Sequence, residues 1–168
     1  MSDSHHKKDV DCVRCVVVTV SDTRTDETDT SGQRIRELLA DAGHEVTATT
    51  IIPDEPHHIK LYVERQAQSG SCEAVLLSGG TGLAPRDQTY EVVSALIEKP
   101  FSGFGELFRR LSYEEIGPKA ILSRAVAGVH KRVVLYAMPG STPAVELAMT
   151  QIILPTLAHT VALVRNDN

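Results

Sequence analysis

Ala74-Val75-Leu76-Leu77-Ser78-Gly79-Gly80-Thr81-Gly82 is the stretch that decides the fold. Four apolar residues in succession, without polar alternation, read as a short strand buried on both faces. A glycine-rich turn follows at once. A helical stripe at Val92, Val93, Leu96 and Ile97 comes next, and Pro100 closes the unit. A buried strand that turns directly into a helix is the repeating unit of an α/β protein.

The same unit recurs upstream. Cys15-Val16-Val17-Val18-Thr19-Val20 is a second β-branched, nearly continuous apolar run. Polar residues 21–31 lead into a helix capped at Thr30 or Ser31, and Thr30 with Gln33 has capping-box spacing. Ile35, Leu38, Leu39 and Ala42 share one helical face, and Gly43 ends it. A strand is expected over 46–52, broken by Pro53-Asp54-Glu55-Pro56. A helix follows with Ile59, Tyr62, Val63 and Ala67 as its stripe and Gly70 as its stop. The expected architecture is therefore α/β, with a mostly parallel central sheet and helices on both faces.

Downstream the rhythm changes. Residues 101–124 suggest two short helices, over 106–111 and 114–122. Two strands, over 125–128 and 132–136, flank a turn at His130-Lys131. Met138-Pro139-Gly140-Ser141 is a tight turn. Thr142 is expected to cap a last helix with Pro143 at its first position, and Pro155 to kink or divide it. Residues 1–11 read as a disordered tail, its His5-His6 pair solvated, and 12–168 as one domain.

Composition narrows the function. The chain has 168 residues and a formal net charge of −5, which argues against nucleic acid as the main partner. No uninterrupted apolar run approaches the ~20 residues of a membrane span. No secretory signal is visible, so a cytoplasmic location is expected. Three cysteines, Cys12, Cys15 and Cys72, do not make a disulfide framework. Cys12-Val13-Arg14-Cys15 matches C-x-x-C, but it precedes a strand instead of opening a helix, and reads as two reduced thiols.

Open parallel sheets bind ligands beyond the carboxyl ends of their strands. Three segments fall there: Ser21-Asp22, Ser78-Gly79-Gly80-Thr81-Gly82, and Pro139-Gly140-Ser141. The glycine turn lets backbone amides approach an anion. It is neither a Walker A loop, lacking Gly-Lys-Ser/Thr, nor a dinucleotide fingerprint, lacking the third glycine. Behind it, Asp87 can cap the next helix or hold magnesium, and Arg86 can be a surface charge or a phosphate clamp. Asp54 can cap the helix after Pro56 or supply a second metal-coordinating carboxylate. Ser123-Arg124 offers a hydroxyl and a guanidinium. Glu106, in Gly103-Phe104-Gly105-Glu106, either enters the cleft or belongs to a turn.

Taken in order, these residues resemble the MoaB/Mog family of molybdenum cofactor biosynthesis proteins, relatives of the gephyrin G domain. The matching segments are Thr19-Val20-Ser21-Asp22, Pro53-Asp54-Glu55, the glycine turn with Arg86-Asp87, and Gly103-Phe104-Gly105-Glu106. Leu111-Ser112, Ile116-Gly117, Ser123-Arg124-Ala125 and Pro139-Gly140-Ser141 complete the set. Ile116-Gly117 and Ser123-Arg124-Ala125 look more like the MoaB branch. The resemblance implies a three-layer molybdopterin-binding fold and Mg2+- and ATP-dependent adenylylation of molybdopterin, AMP passing to its terminal phosphate. It implies Asp54 and Asp87 as the essential, metal-binding carboxylates and the other residues named as substrate and nucleotide contacts. It also implies a homotrimer or homohexamer, and other cofactor-biosynthesis enzymes as further partners. A non-catalytic molybdopterin-binding or scaffold protein of the same fold is the alternative, and a nicotinamide-dependent oxidoreductase is disfavoured by the missing glycine.

Overall fold

The computed structural model describes residues 11–165. The expectations for the N-terminal tail, including His5-His6, fall on residues 1–10, outside the described residues. Strands β1 (Arg14–Val20), β2 (Glu45–Ile52) and β3 (Ala74–Ser78) alternate with helices α1 (Thr30–Asp41), α2 (Pro56–Ser69) and α3 (Thr89–Leu96). There follow β4 (Lys99–Pro100), α4 (Ser102–Ile116), a 3₁₀ segment (Gly117–Leu122), β5 (Val126–His130) and β6 (Val133–Met138). The strands form one sheet in the order β2-β1-β3-β6-β5-β4. The first four in that order are mutually parallel, and β5 runs antiparallel to both β6 and β4.

Continuous apolar runs are needed because both faces of the sheet are covered. Val17, Leu76 and Tyr136 point into one core, packed by Ile35, Leu39, Phe108 and Met149 from helices on that side. Val16, Val18, Leu77 and Leu135 point into the other, against Ile59, Val63 and Val93. Period-2 alternation thus divides each buried strand between two cores. The result is three layers.

Several local expectations are corrected. The cap of α1 is Asp29, whose side chain accepts from the Gly32 amide, so neither Thr30 nor Ser31 fills that position. Asp29 is buried and its other oxygen takes the Thr19 hydroxyl at 2.6 Å, a tie to β1 that local spacing does not reveal. Residues 102–116 form one helix instead of two short ones, and Gly117-Pro118 ends it. Ile97 is already extended, and Glu98 and Phe101 donate to Val129 and Ala127, adding an edge strand around Pro100. Proline is tolerated there because an edge strand has a side with no ladder bond to lose. The turn between β5 and β6 uses Lys131 and Arg132, both at positive φ.

At the C-terminus, Ser141 caps α5 (Thr142–Ala148), so Thr142 is the first helical residue and Pro143 the second. A π-helical segment (Met149–Ile153) then precedes α6 (Leu154–Arg165). The wide turn lies just before Pro155, which lacks the N–H a regular turn would use. The whole helix, Thr142–Arg165, is long and apolar enough by length and composition to cross a bilayer. Its apolar stripe, including Val145, Met149, Ile153 and Leu157, is instead core against the sheet.

Candidate active site

Because β2, β1, β3 and β6 are parallel neighbours, their carboxyl ends lie along one edge. That brings Asp54, Ser21-Asp22, the glycine turn and Pro139-Gly140-Ser141 side by side. The fit is close. The Gly79 amide donates to Met138 at 3.1 Å, and Gly79 has φ +95° with its Cα pressed on β1. A Cβ there would lie 2.3 Å from the Val20 carbonyl oxygen. Gly140 meets the same glycine from the other side, its own Cβ position 3.0 Å from the Gly79 Cα. Only glycine lets three strand ends converge this tightly.

The next residue rests on two side chains. At Gly80, φ +67°, a Cβ would be 2.2 Å from Thr89 Oγ1 and 2.6 Å from Asp54 Oδ2. At Gly82 it would be 2.6 Å from Asp87 Oδ2. The two carboxylates thus press on the turn two residues apart. The amides of Gly80, Thr81 and Gly82 take no acceptor within the described residues. Consecutive unpaired amides in a left-handed turn form a nest for an anion.

Asp54 is only 6% exposed. It does not cap α2, whose cap position is Glu55; its Oδ1 accepts from the Gln88 amide at 3.1 Å instead. Burial above all, and then the charges of Asp87 and Asp22, push its pKa up, against the pull of the Gln88 amide and Arg86. Nor does Asp87 cap α3: its Oδ2 accepts from Ala84. Asp22 titrates below the usual range, held by the Arg86 guanidinium and by the Asp54 amide. Arg86 binds both oxygens of Asp22, at 2.7 and 3.1 Å, and Glu55 at 2.8 Å. Its donors face carboxylates in this state.

Arg124 makes its contacts within the chain. Its Nε and Nη2 donate to the carbonyls of Thr81 and Gly82 at 2.9 and 2.8 Å, and Nη1 pairs with Glu91. The guanidinium lies 4.6 Å from the centre of the Tyr90 ring. Arg124 therefore holds the outer half of the glycine turn through its carbonyls and takes none of its amides. Ser21 is likewise engaged locally, its hydroxyl accepting from Thr23 and Arg24. Ser123 lines a small cavity of about 150 Å³ with Pro139 and Ser141. Glu106 lies elsewhere, in a cavity of about 320 Å³ with Tyr90 and Arg109.

Two buried hydroxyls, Ser78 Oγ and Thr89 Oγ1, have no hydrogen-bond partner. Thr89 escapes a motif-based reading; the signal for it is its position two residues after Asp87. Ser31, read from sequence only as a possible cap, donates to the Gly140 carbonyl at 2.6 Å and fixes that loop to α1. Among the described residues, no three His, Cys, Asp or Glu side chains converge as a ready-made metal site. Asp54, Asp87 and the two hydroxyls nonetheless offer hard oxygen donors beside the anion nest. This suits Mg2+, which takes one or two carboxylates and completes its shell from phosphate and water. The C-x-x-C pair carries no such set: Cys15 is buried, and burial pushes its thiol up to about 12.

Residues 16–159 match the family model described as "Probable molybdopterin binding domain". Molybdenum cofactor biosynthesis protein B of Halalkalibacterium halodurans is 49% identical over 166 residues, covering 98% of each chain. The protein of the same name in Bacillus subtilis is 48% identical over 169 residues, covering 99% of each. A crystal structure of a molybdenum cofactor biosynthesis protein B superposes with a TM-score of 0.90 at 49% identity, covering 92% of this chain and 97% of that one.

Proposed function

The chain belongs to the molybdopterin-binding domain family, and from that premise we propose that it acts in molybdenum cofactor biosynthesis as a molybdopterin adenylyltransferase. It would be a cytoplasmic protein whose substrates are ATP and molybdopterin. The observation that carries this reading is the glycine turn itself: free amides at Gly80, Thr81 and Gly82, with a dry Asp54 and Asp87 pressed beneath them.

The chemistry asks for little more. The attacking group is a phosphate, already anionic, so no strong base is required. The work is alignment and neutralisation of charge at the α-phosphorus. The turn's amides bind phosphate oxygens. Arg124 keeps the turn open to them by holding the Thr81 and Gly82 carbonyls back. Asp54 and Asp87 are the residues that would hold Mg2+, which supplies charge neutralisation when bound. Arg86 positions Asp22 and Glu55 around the entrance.

The test is AMP transfer from MgATP to molybdopterin by the purified chain. Asp87→Asn should lower turnover by roughly 10²-fold or more, as loss of a transition-state electrostatic group does, with the fold intact. Unchanged turnover removes Asp87 from the mechanism. One observation favours the non-catalytic reading: Arg86 spends its donors on Asp22 and Glu55 instead of holding them free for a triphosphate. Molybdopterin binding without any AMP transfer would decide for that alternative.

A further inference from the structure

Arg24, at the carboxyl edge of the sheet, is only partly spent. The loop that leaves β1 divides its polar residues between the two sides of that edge. Asp22 turns toward α2 and α3, where it holds Arg86 and the Asp54 amide. Arg24 turns toward the start of α1, where its Nη1 donates to the Thr28 carbonyl at 3.1 Å and the Thr30 hydroxyl at 3.5 Å. Among the described residues, its Nε and Nη2 make no hydrogen bond or ion pair, and Asp26 and Glu27 on the same loop do not pair with it. The same two nitrogens grip a carboxylate side-on in Arg34, with Glu146, and in Arg86, with Asp22. Arg24 keeps the matching fork unspent.

That fork is anchored by hydroxyls whose donors all run one way. Ser31 Oγ donates to the Gly140 carbonyl at 2.6 Å. Its proton is then spent, so it accepts from Thr142 Oγ1, 3.3 Å away. Thr142 in turn accepts from Thr30 at 3.2 Å, and Thr30 accepts from Arg24. The chain ends on Gly140, whose Cβ position is 3.0 Å from the Gly79 Cα, so it ties the arginine to the backbone of the glycine turn. A guanidinium fixed at one nitrogen has the rest of its planar fork pre-organised. The charge also differs between the two sides. Asp29 is buried on the Arg24 side, but its oxygens are taken by the Gly32 amide and the Thr19 hydroxyl. Asp22, Asp54, Glu55 and Asp87 all stand on the other.

We propose that Arg24 binds the outer phosphates of the nucleoside triphosphate and holds them as the pyrophosphate leaving group. This rests on the reading above that ATP is a substrate. In that transfer an oxygen of the acceptor's phosphate bonds to the α-phosphorus. The bond from the α-phosphorus to the oxygen it shares with the β-phosphate breaks, and the electron pair leaves on that oxygen. Negative charge therefore grows on the pyrophosphate as the bond breaks. Two parallel N–H donors match two phosphate oxygens and oppose that charge. Arg86 and Arg124 have the same fork, but theirs are engaged by Asp22 and by the Thr81 and Gly82 carbonyls. The turn's amides then take the α-phosphate and the hydroxyl-lined side takes the tail, which leaves the carboxylates for the cation. AMP has no outer phosphates and gains nothing from Arg24.

The full chain is titrated by calorimetry, with Mg2+ present, against ATP, AMP and pyrophosphate. The parent should bind ATP and pyrophosphate. Arg24→Gln should weaken both by about tenfold or more, as loss of a charge-assisted pair does, and leave AMP affinity unchanged. Arg24→Lys keeps the charge but not the fork and should remain weakened. Both variants should unfold at the parent's urea midpoint, since the Nη1 bonds they lose are exposed. A parent that ignores pyrophosphate overturns the inference, as does a Gln variant that binds ATP and pyrophosphate like the parent or loses AMP equally. ATP and pyrophosphate binding with these losses but no AMP transfer would sink the transferase reading and leave the subsite standing.

Discussion

Gly80→Ala tests whether the turn is held by the contacts that define it. Gly80 and Gly70 have nearly the same backbone conformation, φ +67° and +68°, but different surroundings. At Gly70 a Cβ meets nothing within 4 Å. At Gly80 it falls 2.2 Å from Thr89 Oγ1 and 2.6 Å from Asp54 Oδ2. The left-handed conformation costs an L-residue about 1–2 kcal/mol in both places, and removing glycine stiffens the unfolded chain equally. Subtracting one variant from the other cancels these terms. What remains is steric: Thr89 or Asp54 must move, and Asp54 is tied to the Gln88 amide. Forced rearrangement in a packed site costs about 1–3 kcal/mol. Gly80→Ala should therefore be less stable than Gly70→Ala by roughly that amount, or about 2–12 °C in Tm for a chain of this size. Urea unfolding with a common m-value gives the comparison directly. Adding Thr89→Ala should return part of the loss, as neighbouring sites in contact are not additive. Equal stabilities for the two single variants would refute the packing argument.

Asp54→Asn bears on pH. Burial raises the native pKa, so the folded state holds its proton more tightly than the unfolded chain, whose carboxyl titrates near ~3.9. Stability then falls as pH rises through the window between the two values, and the penalty persists above it. The Asn variant should be more stable than the parent at pH 7, with the gap closing as pH falls below the carboxylate range; a gap independent of pH would contradict this. Arg124→Ala should free the Thr81 and Gly82 carbonyls, speed amide exchange across the turn and lower AMP transfer by about tenfold or more, and Arg124→Lys should not restore it, since a single ammonium cannot replace the fork. Unaltered exchange would remove its positioning role. Of the three thiols, only Cys12 is exposed, so a native-state thiol titration should report one fast group and denaturation should release Cys15 and Cys72; fast reaction at Cys15 would contradict its burial.

The parts of the fold that could be read from sequence are those whose cause is local and repeated. Cys15 to Val20 and Ala74 to Leu77 are apolar without a break because both faces of the central strands are covered, and the sequence states that outright. Gly43 and Gly70 could be read as helix stops because a left-handed residue is needed there, and both have it. What could not be read depends on partners far along the chain. Asp29 outcompetes Thr30 and Ser31 as a cap because Thr19, on β1, anchors its second oxygen. The strand at Lys99–Pro100 exists only because β5 has an edge to offer it. Asp54 and Asp87 stand where strand ends and the glycine turn suggested, but Asp54 serves α3, not α2, since the turn folds Gln88 back onto it.

The arginines illustrate the same limit and carry a consequence for the chemistry. In sequence, Arg86 reads as either a surface charge or a phosphate clamp, and Arg124 as a guanidinium offered beside Ser123. In place, Arg124 faces backbone carbonyls and Glu91, while Arg86 faces Asp22 and Glu55. Around the turn, the carboxylates of Asp22, Asp54, Glu55, Asp87 and Glu91 outnumber the guanidiniums of Arg86 and Arg124. Such a cleft repels a bare polyphosphate, since like charges at close range disfavour binding. Neutral amides alone offset only part of that repulsion. On the adenylyltransferase reading, the cleft therefore favours a nucleotide that arrives with its cation, and the buried Asp54, whose pKa burial raises, is the carboxylate that cation would stabilise. On that reading, the acidic surround that makes the site look wrong for bare phosphate is what would select phosphate bound to a metal.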